Sequence, residues 1–288
     1  MKRLKVLPIK VPKGYKHPEP PNIALPRHEF TMGLIAPKGA GKTTVICNLL
    51  QFYSGYFHTI LVFSPTIESD EKWDVIKDSK LLVENKPLKK FLKELKRKKS
   101  KNAVLDPPRE TRVVEDDDPP FSPYIPEEHF YDDYDDVTFQ SIMQEQKAMI
   151  NLLKRNGAPK YLANRILIIF DDLVGSALFS GTRGSYFKGV NTRHRHYSSS
   201  FIMVSQGYKE IPKTIRTNFT CLIVFEIGNE KELEVIYEEF PMGLKKDDWM
   251  ELYNYAIATD YAFLYINFQQ EKRLRMMKNF EEYLFIGK

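Results

Sequence analysis

The chain has 288 residues, 42% hydrophobic and 28% charged, enough for one large α/β domain or two small ones with a real core. A formal net charge of +5 permits contact with nucleic acid without requiring it, and two cysteines, Cys47 and Cys221, are too few for a disulfide-built scaffold. No apolar run approaches the roughly 20 residues of a membrane-spanning helix, and the basic start lacks the apolar core of a signal peptide, so a soluble intracellular protein is expected.

Residues 1–22 read as an extended basic arm, with prolines at 8, 12, 18, 20 and 21 opposing a helix. The remainder, 23–288, reads as a single domain. "HEFTMGLIA" (28–36) is short, apolar and followed by glycines, which predicts a buried strand. "GKTTVICNLLQFY" (41–53) predicts a helix and "HTILVFSPT" (58–66) a second strand.

The pattern then breaks over about 67–136. "KPLKKFLKELKRKKSK" (86–101) holds nine Lys/Arg against one Glu, and "EDDDPPFSPYIPEEHFYDDYDD" (115–136) holds ten Asp/Glu and no Lys/Arg. Six prolines fall between 107 and 126. Such runs usually form solvated surface, so a charged, partly flexible insertion whose halves attract each other is expected. The other reading is a basic helix that touches a polyanion.

Helical spacing resumes in 137–157, with Ile142, Met149, Ile150 and Leu153 on one side and Gly157 as the stop. "NRILIIFDDLVG" (164–175) is a β-branched run ending in two aspartates, and "SSSFIMVSQ" (198–206) is a buried strand ending in Ser-Gln. "NFTCLIVFEI" (218–227) predicts a strand, "EKELEVIYEEF" (230–240) a helix, and "YAFLYINFQ" (261–269) the last good strand. Cys47 and Cys221 fall in apolar stretches as small core residues. Strands alternating with helices predict an α/β fold: a mostly parallel central sheet with helices on both faces.

The stretch "APKGAGKTT" (36–44) carries the chemistry. Gly39 and Gly41 permit backbone angles that turn successive N–H groups inward onto phosphate oxygens. Lys42 opens the following helix and reaches the terminal phosphates of a nucleotide such as ATP, and the Thr43 hydroxyl is placed for Mg²⁺. Pro37, Lys38, Gly39, Ala40, Gly41, Lys42, Thr43 and Thr44 are therefore the candidate nucleotide-binding residues. Ala36 stands where the pattern G-x-x-x-x-G-K-[ST] has its first glycine. It is acceptable if its φ is negative, because that position makes no side-chain contact with phosphate.

Asp171 ends an apolar strand, where a carboxylate can hold Mg²⁺, usually through water. Asp172 beside it can polarise the water that attacks the γ-phosphate. Gln206 ends the next strand. In additional-strand P-loop ATPases that strand lies between the loop strand and the acidic strand, so its tip faces the γ-phosphate. A phosphoryl-transfer site also gains from a cation supplied by a neighbouring subunit. Arg216, read as preceding a strand at the sheet's edge, Arg193 and Arg195 are the candidates, the last two also for DNA phosphate. His194 and His196 lack a third ligand at suitable spacing, so no metal site is expected there.

"APKGAGKTT", "ILIIFDD", "TRHRHYSSSFIMVSQ" and "IPKTIRTNFTCLIVFE", in this order, resemble the poxvirus-type genome-packaging ATPases of large DNA viruses and virophages, which belong with FtsK/HerA-type DNA-pumping ATPases. The resemblance covers about 23–270. It implies a RecA-like P-loop core, a homo-oligomeric ring of five or six subunits, and double-stranded DNA moved into a preformed capsid, hence viral capsid proteins as partners. It implies ATP and Mg²⁺ as cofactors, Lys42 and Thr43 on nucleotide and metal, Asp171 on Mg²⁺, Asp172 as base, Gln206 as sensor and Arg216 as the trans arginine. It implies a place in the host-cell cytoplasm, a viral factory or the virion. The charged stretch carries no transferable motif, and the DNA contacts are not located. Two other readings are a helicase-like DNA-dependent ATPase and a nucleotide-regulated DNA or capsid adaptor that does not pump.

Overall fold

The computed structural model describes residues 17–102, 120–173, 175–179 and 186–286. Residues 1–16 of the basic arm, and 103–119 of the charged stretch with the acidic run at 115–118, lie outside the described residues.

In chain order the elements are β1 (Thr31–Ile35), α1 (Lys42–Phe52), β2 (Thr59–Phe63), α2 (Lys72–Lys77), α3 (Lys86–Asn102) and β3 (Phe130–Tyr131). Then come α4 (Asp136–Arg155), β4 (Ile166–Asp171), α5 (Tyr186–Asn191), β5 (Ser199–Ser205), α6 (Lys213–Arg216) and β6 (Cys221–Val224). The chain continues through α7 (Glu230–Glu239), α8 (Lys246–Ala256), β7 (Leu264–Asn267), β8 (Met276–Lys278) and β9 (Glu282–Leu284). The strands form one sheet in the order β3-β2-β4-β5-β1-β6-β7-β8-β9. The pairs from β3 to β6 are parallel, and those from β6 to β9 antiparallel.

The parallel strands are buried on both faces, as a sheet covered by helices must be. Their side chains alternate between two cores. Leu167 and Ile169 of β4, Ile202 and Val204 of β5, and Cys221 and Ile223 of β6 face Ile46, Leu49 and Leu50 of α1 and Trp73 and Ile76 of α2. Ile168 and Phe170, Phe201 and Met203, and Leu222 and Val224 face Phe139 and Met143 of α4, Phe187 of α5, Ile236 of α7 and Trp249 of α8. Each fully buried side chain of this size contributes roughly 2 kcal/mol. Gly33 of β1 leaves room for Phe219, whose ring carbon would lie 2.5 Å from an added Cβ.

Helix α4 starts on the Asp135 side chain, which accepts from the N–H groups of Val137 and Thr138, and ends before Gly157 at φ +68°. Its buried face is Phe139, Met143, Gln146, Ile150 and Leu153; Ile142 and Met149 flank it half-buried. Cys221 is buried as expected, but Cys47 is only half-buried.

Three readings are corrected. The run at 261–269 is not the last strand, because β8 and β9 continue the sheet as an antiparallel hairpin. Arg216 does not precede an edge strand, because β6 lies between β1 and β7. The charged stretch is not solvated throughout. Trp73 and Ile76 are fully buried, Leu81, Leu82, Ile125 and Tyr134 are buried, and β3 extends the sheet beside β2. Helix α3 docks Leu88, Phe91 and Leu92 against Met149, Ile150 and Leu153 of α4, leaving Lys90, Lys96, Arg97 and Lys98 exposed. Its apolar residues at i, i+3 and i+4 make a stripe among the lysines.

Candidate nucleotide-binding site

Because β1, β2, β4 and β5 are parallel, their C-terminal ends meet at one edge of the sheet, where open α/β sheets bind ligands. Ala36 continues the ladder of β1: its N–H donates to the Ser205 carbonyl at 3.1 Å and it is fully buried. It is not among the described residues of positive φ, so no glycine is required there. Gly39 and Gly41 have φ of +82° and +94°, values that a side chain opposes. Gly41 caps α1 without a side-chain hydrogen bond, and the first turn of α1 holds no acidic residue. The first N–H groups of α1 and its positive dipole end are thus left for an anion. Pro37, Lys38 and Gly39 are exposed, and Ala40, Gly41, Lys42 and Thr43 half-buried.

The acidic pair sits across from this loop. Register pairs Phe63 with Phe170, which sets Ser64 opposite Asp171, and the Ser64 hydroxyl donates to Asp171 Oδ2 at 2.9 Å. Asp171 is buried, and burial pushes its carboxyl up to about 6, against the pull of the Ser64 hydroxyl and the Lys42 charge. A buried carboxylate with one hydroxyl donor, at the same edge as the Thr43 hydroxyl, is a hard-oxygen set suited to Mg²⁺. Asp172 adopts a left-handed backbone, φ +51°, a conformation that costs a non-glycine residue on the order of 1 kcal/mol. Its carboxylate lies 3.7 Å from Lys42 Nζ and accepts from Gln206 Nε2 at 3.2 and 3.1 Å. The strand that delivers Gln206, β5, lies between β4 and β1. Glu210 steadies its tip, accepting from the Ser205 hydroxyl at 2.6 Å and the Gly207 N–H at 2.9 Å.

Lys42, Asp172 and Gln206 therefore touch, with Asp171 alongside. The arginines do not join them. Arg193 and Arg195 precede β5, so they lie at the opposite end of that strand; both are exposed, and Arg193 Nε donates to the Gly189 carbonyl. Arg216 is enclosed by its own subunit. Its Nε and Nη2 donate to Glu239 at 3.0–3.2 Å, its Nη1 donates to the Ile211 carbonyl at 3.0 Å, and its guanidinium stands 5.0 Å from the Tyr208 ring centre. Burial pushes the Glu239 carboxyl up, but hydrogen bonds from Arg216 and Tyr208 outweigh this and leave it below its ordinary value. Sequence reasoning missed Ser64, Glu210 and Glu239. Only Ser64, at the end of a predicted strand beside the acidic one, carried any signal. His194 is buried with Nδ1 and Nε2 at 2.9 and 3.0 Å from the carbonyls of Asn191 and Glu29.

The family described as "Poxvirus A32 protein" matches residues 113–261, just over half of the chain, from before the acidic strand to Tyr261 and without the glycine loop. A curated relative, "Uncharacterized protein 075L" of Invertebrate iridescent virus 6, is 26% identical over 148 residues, 51% of this chain and 54% of that protein. The chain thus spans about half the length of the curated relative it matches. Among solved structures, the genome packaging NTPase B204 of Sulfolobus turreted icosahedral virus 2 in complex with AMP is 12% identical, with 83% of this chain and 93% of that chain covered and a TM-score of 0.49. VirB4 of Thermoanaerobacter pseudethanolicus is 15% identical, covering 83% and 87%, with a TM-score of 0.39.

Proposed function

Because the chain belongs to the Poxvirus A32 protein family, we propose that it is a Mg²⁺-dependent ATPase that drives double-stranded viral DNA into a preformed capsid. The observation that carries the ATPase reading is the contact of Lys42 and Gln206 with Asp172, beside buried Asp171 and an uncapped helix N-terminus behind a glycine loop.

The backbone of 37–44 cradles the phosphates and Lys42 neutralises the terminal ones. Thr43 and Asp171 hold Mg²⁺, which supplies charge neutralisation of the phosphates when bound. Asp172 orients and deprotonates the attacking water, and Gln206, already on that carboxylate, reports whether the γ-phosphate is present. Arg216 is the cation a neighbouring subunit would supply in a ring of five or six, and that role requires its release from Glu239. Residues 1–22 act as a basic arm on a single ATPase domain at 23–288, whose charged insertion spans about 67–136. Capsid proteins are the other partners, and a viral factory or the virion is the setting. Among the described residues, no helix is long and apolar enough to cross a membrane.

The test is the ATPase rate with and without duplex DNA over a range of protein concentrations. The expected result is Mg²⁺-dependent hydrolysis that DNA stimulates, that rises per subunit as rings form, and that Lys42→Ala abolishes. Hydrolysis undiminished in Lys42→Ala would remove the site; hydrolysis indifferent to DNA would remove the motor.

A further inference from the structure

Residues 206–212 join the end of β5 to α6, and so join Gln206 to Arg216. The segment is held at both ends. Behind Gln206, the Glu210 carboxylate accepts from Ser205 and Gly207, and a Cβ added at Gly207 would lie 3.1 Å from Glu210 Cδ. Ahead of α6, the Ile211 carbonyl accepts from Arg216 Nη1.

Tyr208 stands between these ends. It is fully buried, and only Gly207 separates it from Gln206 in the chain. Its N–H donates to Glu232 Oε2 of α7 at 3.1 Å. Its hydroxyl donates to Glu239 Oε2 at 2.6 Å, and its ring lies against the Arg216 guanidinium. Burial and the Glu239 carboxylate push the phenol above its ordinary value, so it stays a donor.

The Arg216 and Glu239 side chains are each only 11% exposed. All three guanidinium nitrogens of Arg216 find acceptors within its own subunit. An arginine held this way is withdrawn from any neighbour. A displacement of Gln206 reaches Tyr208 through a single glycine, and Tyr208 touches both members of the ion pair.

We infer, on the reading that Gln206 senses a terminal phosphate and Arg216 serves a neighbour, that Glu239 and Tyr208 form a latch on Arg216 which Gln206 opens. A triphosphate draws the Gln206 amide off Asp172, and the 206–212 segment shifts with it. Tyr208 then leaves the ion pair, and Arg216 swings out to a second copy of the chain. A subunit completes its neighbour's site only while it holds a triphosphate itself, so hydrolysis takes a fixed order around the assembly. An ion pair partly open to water biases two states by about fivefold, which tilts the balance without locking it.

The first experiment mixes Arg216→Ala subunits, which have an intact loop and no arginine to give, with donors that cannot hydrolyse ATP. The donors are Lys42→Ala alone, Lys42→Ala with Glu239→Gln, and Lys42→Ala with Tyr208→Phe. Every turnover recovered then depends on an arginine released by the donor. Lys42→Ala alone lacks the phosphate that opens its latch and should restore little. The Glu239→Gln donor should restore at least about threefold more, and the Tyr208→Phe donor an intermediate amount. Tyr208→Phe keeps the ring and covers the case in which Glu239→Gln does not fold, which thermal melts reveal.

The second experiment labels Arg216 in isolated chains with phenylglyoxal, read by mass spectrometry. Labelling should rise about threefold or more with a non-hydrolysable ATP analogue over ADP, and Gln206→Ala should lose that rise. Equal recovery from all three donors, or less from Glu239→Gln, overturns the latch and leaves the trans arginine standing. Recovery from none of the folded donors overturns the trans reading and the latch together. Labelling indifferent to the analogue, or a rise that survives Gln206→Ala, overturns the control by Gln206.

Discussion

Gln206 Nε2 lies 3.2 and 3.1 Å from the two carboxylate oxygens of Asp172. In the proposed mechanism, the amide that senses the terminal phosphate holds the carboxylate that activates water. An amide donating to both oxygens fixes the plane of the carboxylate. When a phosphate arrives, the same amide can turn to it and release Asp172 toward water.

Gln206→Glu places a second carboxylate against Asp172, and like charges at this distance share a proton. Hydrolysis should fall by about tenfold or more near pH 8 and recover in part toward pH 6, as the pair takes up that proton. Asp172→Asn should bind ATP without turning it over at any pH. The pH dependence of the steady-state rate checks both, and an unaltered profile in Gln206→Glu would separate the two residues functionally.

Asp171 is an acid whose folded-state pKa is raised to about 6 by burial. The native state therefore holds a proton more tightly than the unfolded chain, and stability falls as pH rises from about 4 to about 6, then levels. Asp171→Asn keeps an acceptor for the Ser64 hydroxyl and cannot ionise. Without nucleotide it should be more stable than wild type above pH 7, by up to about 3 kcal/mol, with no gain near pH 4. Millimolar Mg²⁺ should stabilise the wild type and leave the variant unmoved. Thermal melts across pH, with and without Mg²⁺, provide the measurement; a gain that persists at pH 4 would assign it to packing instead of charge.

Arg216 and Glu239 form a half-hidden ion pair completed by Tyr208. Arg216→Ala leaves that carboxylate short of donors and should cost about 1–3 kcal/mol of stability. It should still bind ATP but hydrolyse it poorly. Mixed with Lys42→Ala, it should regain activity at boundaries where an intact loop meets an intact arginine, since such a cation is worth on the order of 10³ in rate. Recovery no greater than the sum of the parts would leave Arg216 with its intramolecular pair alone.

Gly33 lies where the Phe219 ring crosses the sheet. Gly33→Ala should destabilise the fold by about 1–3 kcal/mol, because the ring must move within a filled core. Denaturant unfolding checks this, and Gly33→Ala combined with Phe219→Leu should recover part of the loss.

All strands of the parallel sheet but β3 were legible because burial on both faces gives short apolar runs, and "ILIIFDD" and "FIMVSQ" show them plainly. The loop was legible for another reason: Gly39 and Gly41 are demanded by backbone geometry, and Lys42 and Thr43 by phosphate chemistry. What escaped depended on partners distant in sequence. Ser64 meets Asp171 through strand register, of which only its place at a strand end is visible locally, and Glu239 meets Arg216 through helix packing, which leaves no local trace. Trp73 with Ile76, and Leu88 with Phe91 and Leu92, escaped because these short apolar stripes are set among charges, and composition outweighed periodicity.

Both margins of the described sheet are short. At one end β3 has two residues, and at the other β9 has three. Unpaired backbone N–H and C=O groups at a margin are what another chain would use to extend the sheet, and here each margin offers only a few. Copies of this protein packed side by side would therefore be joined through side chains. Such a joint can open and re-form between neighbours without unzipping a ladder, as the proposed ring would require.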